Sequence, residues 1–320
     1  MRYDVEADWM LYTTCNYRCA YCGISEERLG AKVKIRATPD EWRAAFDATG
    51  KTWLLHMTGG EPSHYPGIAE LCARLTERHY ISINTNLTGR AMLDIADAID
   101  PTRVSFINAG LHAQERERRN GYGVFLRHAE ALLKRGFPLM VSVVATPEVI
   151  RDYEAIRAQL APIGIAPLPK LLTGPYAGQM YPDAYTAEER AAFRRHLLAA
   201  EQTYPTLLGG KRERPSIDPT LGRKHLTGVR SFRGEMCSAG QEFVYLSPTG
   251  SVARCGRGKS MGNVLQGTLR LKTKAKPCDR SYCLYFCEKY TARGHAQWAR
   301  KHPIAAMAQR VKRAIMPAAE

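Results

Sequence analysis

Short apolar runs alternate with longer segments whose apolar residues recur at helical spacing over roughly the first 200 residues. The runs predict six strands, at residues 9–12, 52–57, 80–83, 104–107, 139–144 and 165–170. The last of these contains prolines, which disfavour the interior of a sheet. Two helices are predicted to begin at capping boxes, at Thr38–Glu41 and at Thr186–Glu189.

Strands that alternate with helices pair in parallel and place their helices outside the sheet. Such a sheet either closes towards a barrel or stays open and doubly wound, and periodicity does not decide between the two. In both cases ligands bind at the carboxyl ends of the strands. Cys72 lies on the apolar stripe of the helix after the second strand, so we expect a buried core thiol there.

Composition narrows the class of protein. The chain has 320 residues, enough for one large domain and a smaller one. It shows no secretion signal and no run as long as a membrane span, so we expect a cytoplasmic protein that does not enter a membrane. Nine cysteines without a secretion signal favour metal ligation over disulfides. The net charge of +15 attracts phosphorylated substrates, an acidic protein or nucleic acid, unless it is only a solvated surface.

Three of the cysteines lie close together, on the loop that leaves the first strand. Cys15, Cys19 and Cys22 fall within eight residues and can surround one metal centre, but they provide no fourth protein ligand. An open coordination position is typical of a site that binds and activates a molecule. Zinc is the alternative metal, because sulfur ligands suit both zinc and iron–sulfur clusters.

This loop, with the aromatic Tyr21 just before its last cysteine, resembles the cluster loop of the radical S-adenosylmethionine (SAM) enzymes. The resemblance implies that the three cysteines hold three irons of a 4Fe–4S cluster and that SAM chelates the fourth. It also implies reductive cleavage of SAM to methionine and a 5′-deoxyadenosyl radical, which abstracts hydrogen from a substrate. The fold it implies is an α/β partial (β/α)6 TIM-like barrel.

Further residues carry the same resemblance. Gly59-Gly60-Glu61-Pro62, directly after the second strand, is similar to the family's GGEP motif, whose backbone receives the amino group of SAM. Asn86 matches a position that often contacts the ribose, and Ser105 one that often meets the SAM carboxylate. The family's loop after the fourth strand is similar to the segment from Asn108 that contains His112, although its usual Asp-Gly is missing here. Without this resemblance, the alternative is that Gly-Gly before Glu-Pro forms an ordinary turn that binds no ligand.

The remaining cysteines surround a predicted hairpin at residues 243–250. Five of them can fill one four-thiolate site with one to spare: Cys237, Cys255, Cys278, Cys283 and Cys287. Zinc suits such a site as well as iron does. The pattern resembles the SPASM extension of radical SAM enzymes in its shorter form, twitch, which implies a second, auxiliary 4Fe–4S cluster. We expect Cys237, Cys255, Cys283 and Cys287 as its ligands, with Cys278 as the rival.

The spare cysteine, Cys278, has a possible catalytic use as the donor that returns a hydrogen atom to a substrate radical. The other reading is an ordinary surface or core thiol. These assignments divide the chain into a barrel at 1–203, a connection at 204–233, a cysteine-rich α+β extension at 234–290 and a C-terminal helix at 291–320.

These features are compatible with three candidate functions. The first is a radical SAM enzyme that epimerises or dehydrogenates a small polar or anionic substrate, such as a carbohydrate or aminoglycoside, with flavodoxin or ferredoxin as reductant. We expect it because the first strand begins near the start of the chain and the extension is short. The second is a maturase of a ribosomally made peptide, whose acidic leader would bind the basic surface. The third is a zinc-stabilised nucleic-acid-binding protein, which leaves the glycine-rich turn without a purpose.

Overall fold

The computed structural model describes residues 1–204, 232–256, 258–280, 287–304 and 307, with residues 287–289 and 292 described by their backbone. Most of the predicted connection, Cys283, the side chain of Cys287 and half of the predicted C-terminal helix lie outside the described residues. No helix among the described residues is both long and apolar enough to cross a membrane.

The barrel part of the chain alternates strands and helices as its apolar pattern predicts. Its six main strands are β1 Val5–Tyr12, β2 Trp53–Gly59, β3 Tyr80–Thr85, β4 Val104–Gly110, β5 Leu139–Val144 and β6 Leu168–Lys170. Between and after them lie α1 Glu26–Gly30, α2 Pro39–Asp47, α3 Ile68–Thr76, α4 Ala91–Ala98, α5 Ala113–Arg118, α6 Tyr122–Lys134, α7 Pro147–Arg151, α8 Tyr153–Gln159 and α9 Ala187–Glu201. Short 3₁₀ helices occur at Pro62–His64, Pro101–Arg103 and Ala161–Ile163.

The remaining strands are short. They are β7 Gly174–Tyr176, β8 Gln179–Tyr181, β9 Met236–Cys237, β10 Phe243–Leu246, β11 Ser251–Ala253, β12 Ser260–Asn263 and β13 Lys276–Pro277. A last helix, α10, spans Cys287–Lys301.

Strands β1 to β6 pair in parallel in chain order. This confirms the expected partial (β/α)6 arrangement. The extension differs from a separate domain, because β10 pairs in parallel with β1 and continues the same sheet through the antiparallel strands β11 and β12. The first barrel strand is therefore flanked by β2 on one side and by the C-terminal hairpin on the other.

Alternate residues of β1 face opposite sides of the sheet. Trp9 packs against Trp42 of α2, with ring centroids 4.7 Å apart, so the odd-numbered residues meet the outer helices. Glu6 and Asp8 point the other way, and both are buried. The predicted capping boxes of α2 and α9 are both present. Cys72 is fully buried against Met57, which confirms the predicted core thiol.

Candidate active site

One cavity of about 210 Å³ lies where the parallel strands end. It collects side chains from the loops or last residues after all six barrel strands, as expected for ligands of a parallel sheet. Its lining residues are Cys15, Tyr17, Cys19, Tyr21, Cys22, Leu29, Thr58, Gly59, Gly60, Glu61, Asn84, Thr85, Asn86, Asn108, Gly110, His112, Ser142, Val144 and Lys170.

The cysteine loop is fixed on one side by α1. The main-chain N–H of Cys15 donates to the carbonyl of Leu29 at 2.9 Å, and the hydroxyl of Thr13 donates to the carbonyl of Arg28 at 3.0 Å. Within the loop, the N–H of Cys22 donates to the carbonyl of Cys19 at 2.9 Å, which closes a turn. Helix α1 was not predicted from the sequence. Its hydrogen bonds to Thr13 and Cys15 fix the shape of the cysteine loop.

Burial controls the state of the thiols. It raises the pKa of Cys15, and it raises the pKa of Cys19 to about 12. Because a buried thiolate is costly without a nearby cation, these thiols stay protonated until a metal centre replaces their protons.

The spacing of the thiols suits a cluster. Among the residues that the structure describes, no three His, Cys, Asp or Glu side chains are close enough to hold one metal ion. Each thiolate of a cluster bonds a different iron, so cluster cysteines need not converge on one point as zinc ligands do. Three thiols that line one cavity are compatible with an iron–sulfur cluster, in which each thiolate bonds a different iron.

The glycine turn after β2 packs directly on the start of the cysteine loop. The N–H of Gly60 donates to the carbonyl of Tyr12, and that of Glu61 donates to the carbonyl of Thr14, both at 2.9 Å. A Cβ at Gly59 or Gly60 would overlap these main-chain oxygens, and Gly59 has a φ of +131°. Glycine is therefore required at these two positions because the turn packs against the backbone of Tyr12 and Thr14. A ligand that approaches the turn closely would require glycine for the same reason.

Glu61 serves the scaffold of the site. Its carboxylate accepts from the N–H of Ser63 at 3.0 Å, and from the hydroxyl of Thr85 and the N–H of Asn86 at 2.5 Å each. These bonds join the turn after β2 to the end of β3. Pro62 begins the following 3₁₀ helix, next to the cavity but not in its lining.

Asn86 connects the end of β3 to the cysteine loop. Its side-chain amide donates to the side chain of Asn16 at 2.8 Å. Behind this contact, the fully buried Arg116 donates to the main-chain carbonyls of Asn86 and Gly110, the latter at 3.2 Å. Its guanidinium also lies over the ring of Phe125, 4.1 Å from the centroid. Burial lowers the pKa of Arg116 to about 10, which still leaves it charged at neutral pH.

The β4–β6 side of the cavity is lined by four polar residues, of which Asn108 and His112 belong to the segment noted in the sequence and Ser142 and Lys170 were not predicted. Desolvation lowers the pKa of the Lys170 ammonium group, although Asp8 of β1 opposes this shift. A signal existed in the sequence, because Lys170 ends the predicted sixth strand, and strand ends are where this fold binds ligands.

His112 is held close to the cysteine loop. Its Nδ1 lies 2.9 Å from the Tyr21 hydroxyl oxygen and 3.4 Å from the Cys19 sulfur. Burial lowers the pKa of this imidazole to about 4, and nearby Arg116 adds to the shift. The ring is therefore neutral at physiological pH.

The structure places Ser105 differently from the sequence-based assignment. Ser105 is the second residue of β4, near the amino end of the strand, and it does not line the cavity. Because ligands bind at the carboxyl ends, the residue of β4 that reaches the cavity is Asn108. The structure otherwise brings together eight predicted residues: Cys15, Cys19, Cys22, Tyr21, Gly59, Gly60, Glu61 and Asn86.

A second group of cysteines lies around β9 and β13. These strands pair antiparallel with Cys237 opposite Lys276, and the N–H of Cys278 donates to the carbonyl of Glu235 at 2.8 Å. Burial raises the pKa of Cys237, and the nearby Cys278 adds to this shift.

Arg254, next to Cys255, joins the segments around this group. It donates to the carbonyls of Ala239, Cys237, Lys276 and Pro277 at 2.7–3.2 Å. Cys278 is not part of the lining of the cavity at the strand ends.

Comparison with known proteins identifies the domain. Residues 9–160 match the family described as the Radical SAM superfamily. This matched part of the chain contains the cysteine loop and the glycine turn, so residues 9–160 resemble a radical SAM domain.

Two curated proteins match parts of the chain. The PqqA peptide cyclase of Granulibacter bethesdensis is 29% identical over 141 residues, which are 41% of this chain and 37% of the relative. A probable GTP 3′,8-cyclase of Thermococcus kodakarensis is 26% identical over 105 residues, 32% of this chain and 33% of that protein. The chain thus spans about a third of the length of the curated relatives it matches.

Two solved structures share the fold. The structure of anSMEcpe with bound AdoMet has a TM-score of 0.52 and 17% identity, covering 82% of this chain and 80% of that chain. Streptococcus suis SuiB bound to S-adenosylmethionine has a TM-score of 0.56 and 13% identity, covering 82% and 64%.

Proposed function

We propose that this enzyme binds a 4Fe–4S cluster through Cys15, Cys19 and Cys22 together with SAM in the cavity at the strand ends. The observation that carries the proposal is that the three thiols and the Gly59–Gly60 turn line one cavity. When bound, the cluster supplies the electron that cleaves SAM to methionine and a 5′-deoxyadenosyl radical, which abstracts hydrogen from the substrate.

In this proposal, different residues of the cavity contact different parts of SAM. The turn at Gly59, Gly60 and Glu61 offers main-chain groups to the amino group of SAM, and Asn86 faces the ribose. Glu61 is engaged by Ser63, Thr85 and Asn86, so it orients the turn while the backbone meets the cofactor. Asn108 takes the role first assigned to Ser105, because it reaches the cavity from the same strand.

We infer that the substrate is a peptide rather than a carbohydrate or aminoglycoside. The likeness to a PqqA peptide cyclase supports this inference. Two of the proteins that share the fold, anSMEcpe and SuiB, have also been solved with a peptide bound. The net charge of +15 favours an acidic peptide, and Lys170 provides a cationic side chain inside the cavity. Epimerisation, dehydrogenation and cross-linking all remain compatible with this site.

We further propose a second 4Fe–4S cluster bound by Cys237, Cys255 and cysteines near them. The position of Cys278 beside Cys237 supports a role for Cys278 as a ligand, in preference to its role as a hydrogen donor to a substrate in the other cavity. Cys283 and Cys287 are the further candidates. The reductant is proposed to be a flavodoxin or ferredoxin, whose acidic surface suits a basic enzyme.

The deciding experiment is anaerobic reconstitution with iron and sulfide quantified, followed by assay of 5′-deoxyadenosine. About eight irons per chain are expected for two clusters, and about four would remove the auxiliary cluster. Calorimetry with a short acidic peptide encoded near the gene should show binding that weakens with salt. Peptide-dependent release of 5′-deoxyadenosine would support the substrate class. Cluster loading without any cleavage of SAM would contradict the proposed function.

A further inference from the structure

The three sulfurs of the cysteine loop have different hydrogen-bond donors. Cys15 accepts from the main-chain N–H of Tyr17 at 3.4 Å, and Cys22 accepts from that of Ile24 at 3.5 Å. Such main-chain N–H donors do not depend on which side chains Tyr17 and Ile24 carry. At Cys19, in contrast, the sulfur lies 3.4 Å from a side-chain nitrogen, Nδ1 of His112, which belongs to the segment after β4.

The surrounding residues fix the imidazole of His112 in this position. Its ring stacks on Tyr21, with centroids 6.2 Å apart and an angle of 15°, and it meets Tyr17 edge-on at 5.8 Å. A Cβ at Gly110 would lie 2.5 Å from Nε2 of His112, so only glycine leaves room for the ring. Three neighbouring positions thus define where the imidazole lies.

The backbone at His112 is also unusual. Its φ of +48° is in the left-handed region, which costs a residue other than glycine about 1 kcal/mol. Such a conformation persists where the surroundings determine it, and it often marks a functional position. Here it precedes α5 and turns the side chain towards Cys19.

We propose that His112 donates a hydrogen bond from Nδ1 to the Cys19 thiolate, positions that ligand and raises the reduction potential of the bound cluster. The inference rests on the proposed function. A thiolate only accepts, so the proton is assigned to Nδ1, which shares it between the Cys19 sulfur at 3.4 Å and the Tyr21 hydroxyl oxygen at 2.9 Å. A donor that withdraws charge from a cluster sulfur favours the reduced state, which carries one more negative charge. His112 is a positioning residue in this account, since it acts through Cys19.

The test is a potentiometric titration of the N-terminal cluster, followed by electron paramagnetic resonance, with iron quantified in each sample. Cys237 and Cys255 are replaced by alanine in all proteins to isolate that cluster. His112→Leu should disfavour the reduced cluster about tenfold, a shift of about 59 mV towards negative potential for one electron. Gly110→Ala, which displaces the ring, should shift the potential in the same direction.

His112→Asn is the conservative variant. Asparagine tolerates the left-handed backbone and places an amide N–H near the position of Nδ1, so the potential should return towards that of the parent. His128→Asn is the matched control, because the Nδ1 of that histidine faces the carbonyl of Leu87 at 3.1 Å. It should leave the potential unchanged.

The outcomes separate the two proposals. If the parent loads no cluster or does not cleave SAM, the proposed function fails. If the parent does both and His112→Leu has the parental potential and iron content, the inference about His112 alone is overturned. Should His112→Leu fail to load iron, Gly110→Ala and His112→Asn decide the matter, and equal potentials in those two variants would contradict the proposal.

Discussion

The loop at residues 15–22 and the segments around Cys237 and Cys278 both present cysteines, but they are held by different means. The first is bonded through side chains from distant segments, including Asn86 and Arg119, which donates to the carbonyl of Asn16 at 2.9 Å. The second is held by the β9–β13 pair, by Arg254 and by α10, where the carbonyl of Tyr290 accepts from the N–H of Ser238 at 3.0 Å. The first site thus depends on segments throughout the barrel, whereas the second depends on contacts within the C-terminal part of the chain.

The largest expected effect separates the two cysteine groups chemically. Cys19→Ala should abolish formation of 5′-deoxyadenosine and lower the iron content from about eight to about four per chain. Cys255→Ala should lower the iron content equally, but it should leave SAM cleavage without substrate in place, because that cysteine is not in the cavity. Iron assay and chromatography of the nucleoside measure both. Undiminished SAM cleavage by the Cys19 variant would refute the assignment of the first site.

The next effect tests the packing of the glycine turn. Gly60→Ala places a Cβ against the main-chain oxygen of Thr14, so we expect a loss of about 2–4 kcal/mol in the free energy of unfolding and weaker SAM binding. Denaturant titration and equilibrium binding measure these effects. Gly23→Ala, just after the cysteine loop, is the control, since its Cβ would meet no atom within 4 Å. Equal stability of the two variants would mean that the turn does not pack as described.

A third effect should remain local. Arg254→Met removes four hydrogen bonds to carbonyls and should destabilise the β9–β13 region by about 2 kcal/mol. Hydrogen exchange should then be faster at Cys237 and Cys278, while the amides of β2 and β3 keep their protection. The same acceleration throughout the barrel would show that the two regions unfold as one unit.

The smallest effect tests the seam between the regions, where Asp8 of β1 lies opposite Tyr245 of β10. Burial raises the pKa of Asp8 to about 7, although Lys170 opposes this shift. The folded state therefore holds a proton that the unfolded state releases above about pH 4, and this contribution to stability is lost as the pH rises towards 7.

Asp8→Asn should for this reason gain about 1–2 kcal/mol relative to the parent between pH 5 and pH 8, as measured by denaturant midpoints. The exposed Asp94→Asn should show no such trend. A parental pH profile for Asp8→Asn would mean that the carboxyl group is ionised throughout this range.

Sequence pattern predicted all six barrel strands, but β1 begins at Val5 instead of residue 9. The first half of this strand contains Glu6 and Asp8, and acidic residues are not expected in a buried strand. Their burial becomes apparent only once the barrel interior is known. Helix α4 was missed, although Met92, Ile95 and Ala96 have helical spacing. The pairing of β10 with β1 joins residues distant along the chain, and local periodicity contains no information about such contacts.

The site was predictable where residues cluster into motifs, as with the three cysteines and the glycine turn. Single polar residues were not, because Asn108 or Ser142 at a strand end resembles an ordinary turn former. Only the register of the strands brings them to one cavity. Ser105 shows the converse case, since its strand is predicted correctly but the residue lies near the amino end of that strand, outside the cavity lining.

The parallel pairing of β10 with β1 has a consequence for synthesis of the chain. β1 leaves the ribosome first, but one edge of it stays uncovered until Phe243 and its neighbours follow. Uncovered strand edges recruit strands from other molecules. We therefore expect the C-terminal hairpin to limit self-association of the barrel through this edge, and a fragment that stops before residue 243 should precipitate where the whole chain stays in solution.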